Sequence, residues 1–241
     1  MDIYLILVLF SVVAFLYASV GHGGASGYIA LMAIFEFPQN EIKTNALFLN
    51  LFVSFVSFTQ FFKKYDFPYK LFFILVAFSI PMAFLGGIWT LHDRIYKVIL
   101  GLILLIPIAK FLGIFPKTQF SVKQNLPILI ILGLGIGLIS GLLGIGGGII
   151  LSPILILLGW CTVKQTAAVS AIFIFVNSFS GLLGKSFSTI QFSENITQIL
   201  IFTIIGGILG GFFGAKKFKV QWIQYTLALV LIIACFKLFT T

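Results

Sequence analysis

The chain has 241 residues, of which 60% are hydrophobic and 9% charged, and its mean hydropathy is +1.18. A soluble domain carries about 25% charged residues, so these proportions exclude a soluble enzyme, a disordered chain and a nucleic-acid binder built on a basic face. They leave a polytopic membrane protein, in which the excess of 15 Lys+Arg over 6 Asp+Glu reads as short basic loops at an anionic leaflet.

Uncharged windows set the predicted elements, because a hydrocarbon core of about 30 Å takes roughly 20 helical residues. In chain order they give eight segments: residues 3–35, 44–62, 68–91, 95–115, 125–158, 165–185, 192–215 and 219–239. The first follows Met1-Asp2-Ile3-Tyr4, lacks a basic flank and is too long for a cleaved signal peptide, so it is expected to stay in the membrane. The fourth carries Lys97 and Lys110 near its ends, where their heads can snorkel outward. All eight are expected to be helices, since open strands cannot satisfy their backbone in lipid. The strict alternation of a barrel is absent.

Residues 3–35 and 125–158 are each longer than one span by about a dozen residues. Each is broken by glycines, Gly21-His22-Gly23-Gly24 in one and Gly144-Ile145-Gly146-Gly147-Gly148 in the other, at an offset of 123. Phe84-Leu85-Gly86-Gly87 matches Ile208-Leu209-Gly210-Gly211 at an offset of 124. The chain thus divides into a first membrane repeat (1–115), a linker (116–124) and a second repeat (125–241). The expected fold class is all-α, with about eight hydrophobic segments in two homologous repeats. The first segment of each repeat is a long helix, a glycine turn and a half-helix that returns into the membrane.

Charge decides how the repeats are oriented. If each broken segment crossed once, the two sides would receive 8 and 7 basic residues. If the half-helix returns, the second repeat is inverted. One side then collects Lys63, Lys64, Lys70, Lys110, Lys117, Lys123, Lys164, Lys216, Lys217 and Lys219, and the other keeps Lys43, Arg94, Lys97, Lys185 and Lys237. The second arrangement gives a usable positive-inside bias, with both termini outside.

The first amides of a helix lack intrahelical partners and carry the positive end of its dipole. Glycines leave such amides unscreened, so two half-helix ends from inverted halves could face one another and hold an anion. No Lys or Arg is placed deep in a span to do so instead. Substrate-binding candidates are therefore Gly21, His22, Gly23 and Gly24 in the first turn and Gly144, Gly146, Gly147 and Gly148 in the second. Asn45, Asn50, Ser170 and Asn177 join them as intramembrane polar residues, with Asn45 paired to Ser170 across the repeats. Gly86-Gly87 and Gly206-Gly207 with Gly210-Gly211 lie within single spans and read as close helix packing. Cys161 and Cys235 read as small apolar residues. His22 and His92 are too few for a metal site, and no cofactor or nucleic-acid motif is present. No carboxylate is placed deep in a span, so proton coupling, if it exists, falls to His22 or to the substrate.

The paired turns, Ser19-Val20-Gly21-His22-Gly23-Gly24-Ala25-Ser26-Gly27 and Ser140-Gly141-Leu142-Leu143-Gly144-Ile145-Gly146-Gly147-Gly148, resemble the sulfite exporter TauE/SafE family of permeases. The second continues into Ile149-Ile150-Leu151-Ser152-Pro153, a close fit to that family's pattern. In Gln165-Thr166-Ala167-Ala168-Val169-Ser170, Val169 stands where the family usually has Thr. The resemblance implies a prokaryotic-type plasma-membrane permease for sulfite or related organosulfur anions. An anion channel is the alternative, and a membrane-embedded enzyme lacks an acid–base pair. Direction of transport, coupling ion and oligomeric state stay open at this point.

Overall fold

The structure is a computed structural model and describes residues 3–62, 66–114, 123–186, 190–214 and 220–240. Among these residues there are ten helices and no strand. The first long segment gives α1 (Ile3–Ser19) and α2 (Ala25–Ile34). It is followed by α3 (Gln39–Phe62), α4 (Tyr69–Ile88) and α5 (Asp93–Phe111). The fifth segment likewise gives α6 (Leu126–Leu143) and α7 (Gly148–Leu157), followed by α8 (Val163–Ser186), α9 (Ile196–Gly214) and α10 (Val220–Thr240). Local chemistry sets the boundaries. Asn125 Oδ1 accepts from the Ile128 amide at 3.0 Å and starts α6, with a proline in its first turn. Gly144, with φ +79°, stops it in the left-handed region. At 10 residues each, α2 and α7 are about 15 Å long, half of a hydrocarbon core.

Two glycine stripes lock the outer helices together. On α6, Gly133, Gly137 and Gly141 abut the backbone of Leu75, Ser79 and Ala83 on α4. On α9, Gly206, Gly210 and Gly214 abut Ser11, Phe15 and Ser19 on α1. A Cβ at any of these positions would meet backbone, so the helices have closed to a separation that glycine alone permits. The expectation that Gly86, Gly87 and the Gly206–Gly211 group pack helices together holds: each abuts a neighbouring helix.

The same contacts orient the chain. Both stripes climb in step with their partners, so α4 runs parallel to α6 and α1 parallel to α9. Ser180 donates to the Ile80 carbonyl at 2.6 Å and Gly184 abuts Phe84, which makes α8 parallel to α4. Gly207 abuts Val53 and Gly211 abuts Gln60, so α9 is also parallel to α3. Between α3 and α8 the order reverses: Asn50 meets Ser178 and Leu47 meets Gly181. Thus α1, α3 and α9 point one way and α4, α6 and α8 the other. Corresponding helices of the two halves are opposed, and the repeats are inverted.

Large apolar side chains lie both inside the bundle and on its outer faces, while small polar ones are turned inward. Large residues such as Phe73, Ile131, Ile201 and Phe212 are exposed on the outer faces, whereas Ser54, Ser57, Ser79, Ser140 and Ser178 are buried. This is the pattern expected when lipid is as apolar as any side chain and small residues let backbones approach. Lys43 is buried as well. Its Nζ donates to the carbonyls of Gly86 at 2.9 Å and of Gly87 and Trp89 at 3.1 Å, placing a cation on the negative end of α4.

These directions carry Lys70, Lys110, Lys123 and Lys164 to one end of the bundle and Lys43, Arg94, Lys97 and Lys185 to the other, as the charge argument divides them. Lys63, Lys64, Lys117, Lys216, Lys217, Lys219 and the side chain of Lys237 lie outside the described residues.

Two outcomes are expected. Gly210→Leu drives a side chain into the Phe15 backbone and destabilises the detergent-solubilised protein by at least about 2 kcal/mol. Gly135→Ala has open space around it and is neutral or stabilising by up to about 1 kcal/mol. Thermal unfolding followed by size-exclusion checks both, and equal behaviour would remove the stripe as the packing element. For sidedness, in a background with Cys161→Ser and Cys235→Ser, cysteines replacing Lys70 and Lys123 should resist an impermeant thiol reagent in intact cells. A cysteine replacing Thr90 should label. The reverse pattern would place the Lys70 end outside.

Candidate functional site

Both glycine turns run from opposite ends of the bundle to one point between α3 and α8. The first leaves α1 with Gly21 against Ala167, near the start of α8, and reaches Gly23 against Asn50 and Ile174, at mid-length of α3 and α8. The helix α2 then continues toward the start of α3. The second leaves α6 with Gly144 against Lys43, near the start of α3, and reaches Gly146 against Asn50, Ile174 and Ser178. From there α7 continues toward the start of α8. The two half-helices occupy opposite halves of the bundle, and their N-termini meet at its centre.

The turns need glycine for two reasons. Gly24 and Gly147, the N-caps of α2 and α7, sit at φ +100° and +74°, and Gly21, Gly144 and Gly146 are also left-handed. A side chain at Gly24 or Gly147 would be inexpensive only at a negative φ. That condition fails, and an L-residue at either costs roughly 1–2 kcal/mol in backbone strain alone. Gly23 differs: its φ is outside the left-handed region, and an added Cβ would touch the Asn50 amide.

Asn50 ties the centre together. Its Oδ1 accepts from the Ala25 amide, in the first turn of α2, at 3.1 Å, and its Nδ2 donates to Ser178 Oγ on α8 at 3.1 Å. The residue is fully buried. The Tyr28 hydroxyl donates to the Gly23 carbonyl at 2.9 Å, and the Ser57 hydroxyl donates to the His22 carbonyl at 3.3 Å. On the α7 side, Gly147 borders Ser140, and Gly148 borders the Ser170 carbonyl and Ile174. Ser140 Oγ, Ser170 Oγ and Asn177 Oδ1 are buried there without a hydrogen-bond partner, while Asn177 Nδ2 donates to the Phe173 carbonyl at 2.9 Å. Unpaired buried polar atoms are expensive unless something else fills their capacity.

Asn45 stands apart from this group. Its Oδ1 accepts from the Ser193 amide at 3.4 Å, near the α3 end that carries Lys43. The pairing of Asn45 with Ser170 is also corrected. The 24-residue helices α3 and α8 start at Gln39 and Val163, an offset of 124. Asn50 therefore corresponds to Ile174, and Asn45 to Val169. Lys110 does not snorkel outward. Its Nζ donates inward to Ser152 Oγ on α7 at 2.9 Å, and Ser152 Oγ lies 2.7 Å from His22 Nε2. His22 Nδ1 lies 3.1 Å from the Val20 carbonyl, so the ring bridges both repeats. Neither Lys110 nor Ser152 stands out in sequence, where one sits at a segment end and the other within an apolar run. Among the described residues no group of three or more His, Cys, Asp or Glu could hold a metal.

Comparison with known proteins fits this architecture. The family described as "Sulfite exporter TauE/SafE" matches residues 5–238. A "Probable membrane transporter protein y4hK" of Sinorhizobium fredii is 33% identical over 234 residues, covering 95% of each chain. A "Probable membrane transporter protein MamO" of Paramagnetospirillum magneticum is 35% identical over 95 residues, which are 37% of this chain and 15% of that protein. No solved structure matches the chain. With the family's match running through nearly all ten helices, the chain belongs to the Sulfite exporter TauE/SafE family of integral membrane proteins.

Proposed function

We propose that this protein is a secondary transporter that moves a small anion, sulfite or a related organosulfur anion, across a prokaryotic-type inner membrane. The observation that carries the reading is the meeting of two half-helix N-termini at mid-depth, in inverted repeats. Both dipoles direct positive potential to one point, and first-turn amides there can donate to an oxyanion. Irregular backbone at that depth is tolerated where it lines a polar cavity or is sheltered by protein, and inverted repeats with broken helices are the common construction of secondary transporters. Asn50 Oδ1, an uncharged carbonyl oxygen on the Ala25 amide, occupies the kind of position an anion oxygen would take. Ser140, Ser170 and Asn177 border the same region with unused capacity. The sulfur chemistry of the substrate rests on the family's description, and the transporter class on the description of the relative from Sinorhizobium.

Purified protein in proteoliposomes should exchange labelled anion saturably when offered sulfite, thiosulfate, methanesulfonate, sulfate or chloride in turn, with a sulfur oxyanion preferred. Unsaturable flux with single-channel current would favour a channel instead. Gly23→Ala puts a methyl into the space of Asn50 Oδ1 at a φ outside the left-handed region, displaces that oxygen from the Ala25 amide and should weaken anion affinity at least about tenfold, or ~1.4 kcal/mol. Asn50→Leu should do the same, and Asn177→Leu should lower transport. Asn125→Ser, which keeps the α6 cap, should leave transport unchanged. If Gly23→Ala is folded and binds as wild type does, the turns are packing devices and the amide site is wrong.

A further inference from the structure

The Lys110–Ser152–His22 chain links α5, α7 and the first turn, and it does not include Asn50 or its partners Ala25 and Ser178. Its atoms admit two proton arrangements. The Val20 carbonyl can only accept, so His22 Nδ1 carries a hydrogen in either one. The remaining choice lies at Nε2, 2.7 Å from Ser152 Oγ. Ser152 has one hydroxyl hydrogen and two acceptors in reach, His22 Nε2 and the Gly148 carbonyl, each at 2.7 Å. In the first arrangement Lys110 is an ammonium that donates to Ser152 Oγ, and the Ser152 hydroxyl donates to a bare Nε2. In the second, a proton has passed from Lys110 Nζ to Ser152 Oγ as the serine's own proton passed to Nε2. Lys110 is then an amine and His22 an imidazolium, and the re-formed hydroxyl turns to the Gly148 carbonyl. One proton has moved, one N–H bond has broken at Lys110 and one has formed at His22, and no heavy atom needs to shift.

The surroundings favour neither site with a counter-charge. Among the described residues no carboxylate bonds to Lys110 or His22. The titratable side chains on the packed elements include Tyr17 of α1, whose hydroxyl is 2.7 Å from Ser26 Oγ and whose ring meets Phe111, Tyr28 of α2, which donates to Gly23, and Cys235 of α10, whose Sγ donates to the Gly101 carbonyl of α5. From α3 the contact is the Ser57 hydroxyl on the His22 carbonyl. Lys110 stands near the end of α5, at the bundle end shared with Lys70 and Lys123, and His22 stands in the turn that leads to the centre.

The geometry points to Lys110, Ser152 and His22 as a one-proton relay from that end of the bundle to the glycine turn, coupling anion movement to proton movement. This rests on the anion-transport reading. It requires a side chain that can give up its proton at position 110, which arginine cannot do while keeping the charge and the donors.

The test uses thiosulfate and methanesulfonate, anions of strong acids that carry no proton at neutral pH, with protein in liposomes loaded with a pH-sensitive dye. Wild type should exchange labelled anion and, under a net gradient, move protons with it. Lys110→Arg and Ser152→Ala should keep exchange and lose proton movement at least about tenfold, and Ser152→Thr should restore it. Separately, nitrogen NMR of His92→Gln protein labelled at histidine should show a neutral His22 ring with hydrogen on Nδ1 and none on Nε2. Proton movement by Lys110→Arg at the wild-type level, wild-type anion movement without protons, or a neutral ring protonated at Nε2 would each overturn the relay. A wild-type protein that exchanges neither anion overturns the transport reading, and the relay with it.

Discussion

A helix broken in the middle of a membrane leaves amides without a partner in their own helix, and the bundle is organised around the side chain that meets this cost. Asn50 uses both ends of its amide, one on the Ala25 amide of α2 and the other on Ser178 of α8. Each unpaired backbone group in hydrocarbon would cost several kcal/mol. The position therefore links three elements that packing alone would leave free to slide, since lipid gives helices no hydrophobic reason to associate. Around this point the two 24-residue helices α3 and α8 cross antiparallel and shelter both turns.

Close packing supplies what hydrophobicity does not. The two glycine-packed pairs, α4 with α6 and α1 with α9, exchange under the inverted symmetry, yet both stripes lie in the second half, because α6 corresponds to α1 and α9 to α4. In each pair the second-half helix carries the glycine stripe, and α4 adds Gly86 against α6. Either partner is enough to bring two helices together, so the requirement constrains the pair and not the individual helix. Lys43 shows the opposite economy. A buried cation is costly unless fully bonded, and three carbonyls at the end of α4 provide the acceptors.

Much of this architecture is legible in the sequence because the membrane imposes a length rule. The window at residues 165–185 becomes Val163–Ser186, and the two overlong segments break at their glycines as length demands. Inversion is legible through the charge count over all 15 Lys and Arg, and the described ones fall at the ends to which that count assigns them. The meeting of the turns is partly legible, from the repeated glycines. What fails is anything set by side-chain direction. The window for α3 starts at residue 44 because Lys43 is charged, whereas the helix starts at Gln39 and buries that lysine. Lys110 is near a segment end, and whether its chain turns out to the headgroups or inward to Ser152 depends on how α5 lies beside α7. The sign of φ at Gly24 and Gly147 is a property of the turn as built, and glycine is compatible with either.

The two halves share a backbone plan but not a chemistry. In the first turn His22 stands where the second has Ile145, and Asn50 stands where the second half has Ile174. The first turn is held by directed bonds from Asn50, Tyr28 and Ser57, each with one favourable geometry. The second abuts Asn50, Ser178 and Ser140 as well as Ile174, Ile136 and Phe173, but no side chain among the described residues donates to its carbonyls as Tyr28 and Ser57 do in the first. Inverted repeats generate two conformations by exchanging the roles of their halves, and perfect symmetry would make the two equal in energy. With hydrogen bonds concentrated on one turn, exchange breaks a different set of contacts in each direction. On the transport reading, the half with the directed bonds would set which state is the ground state.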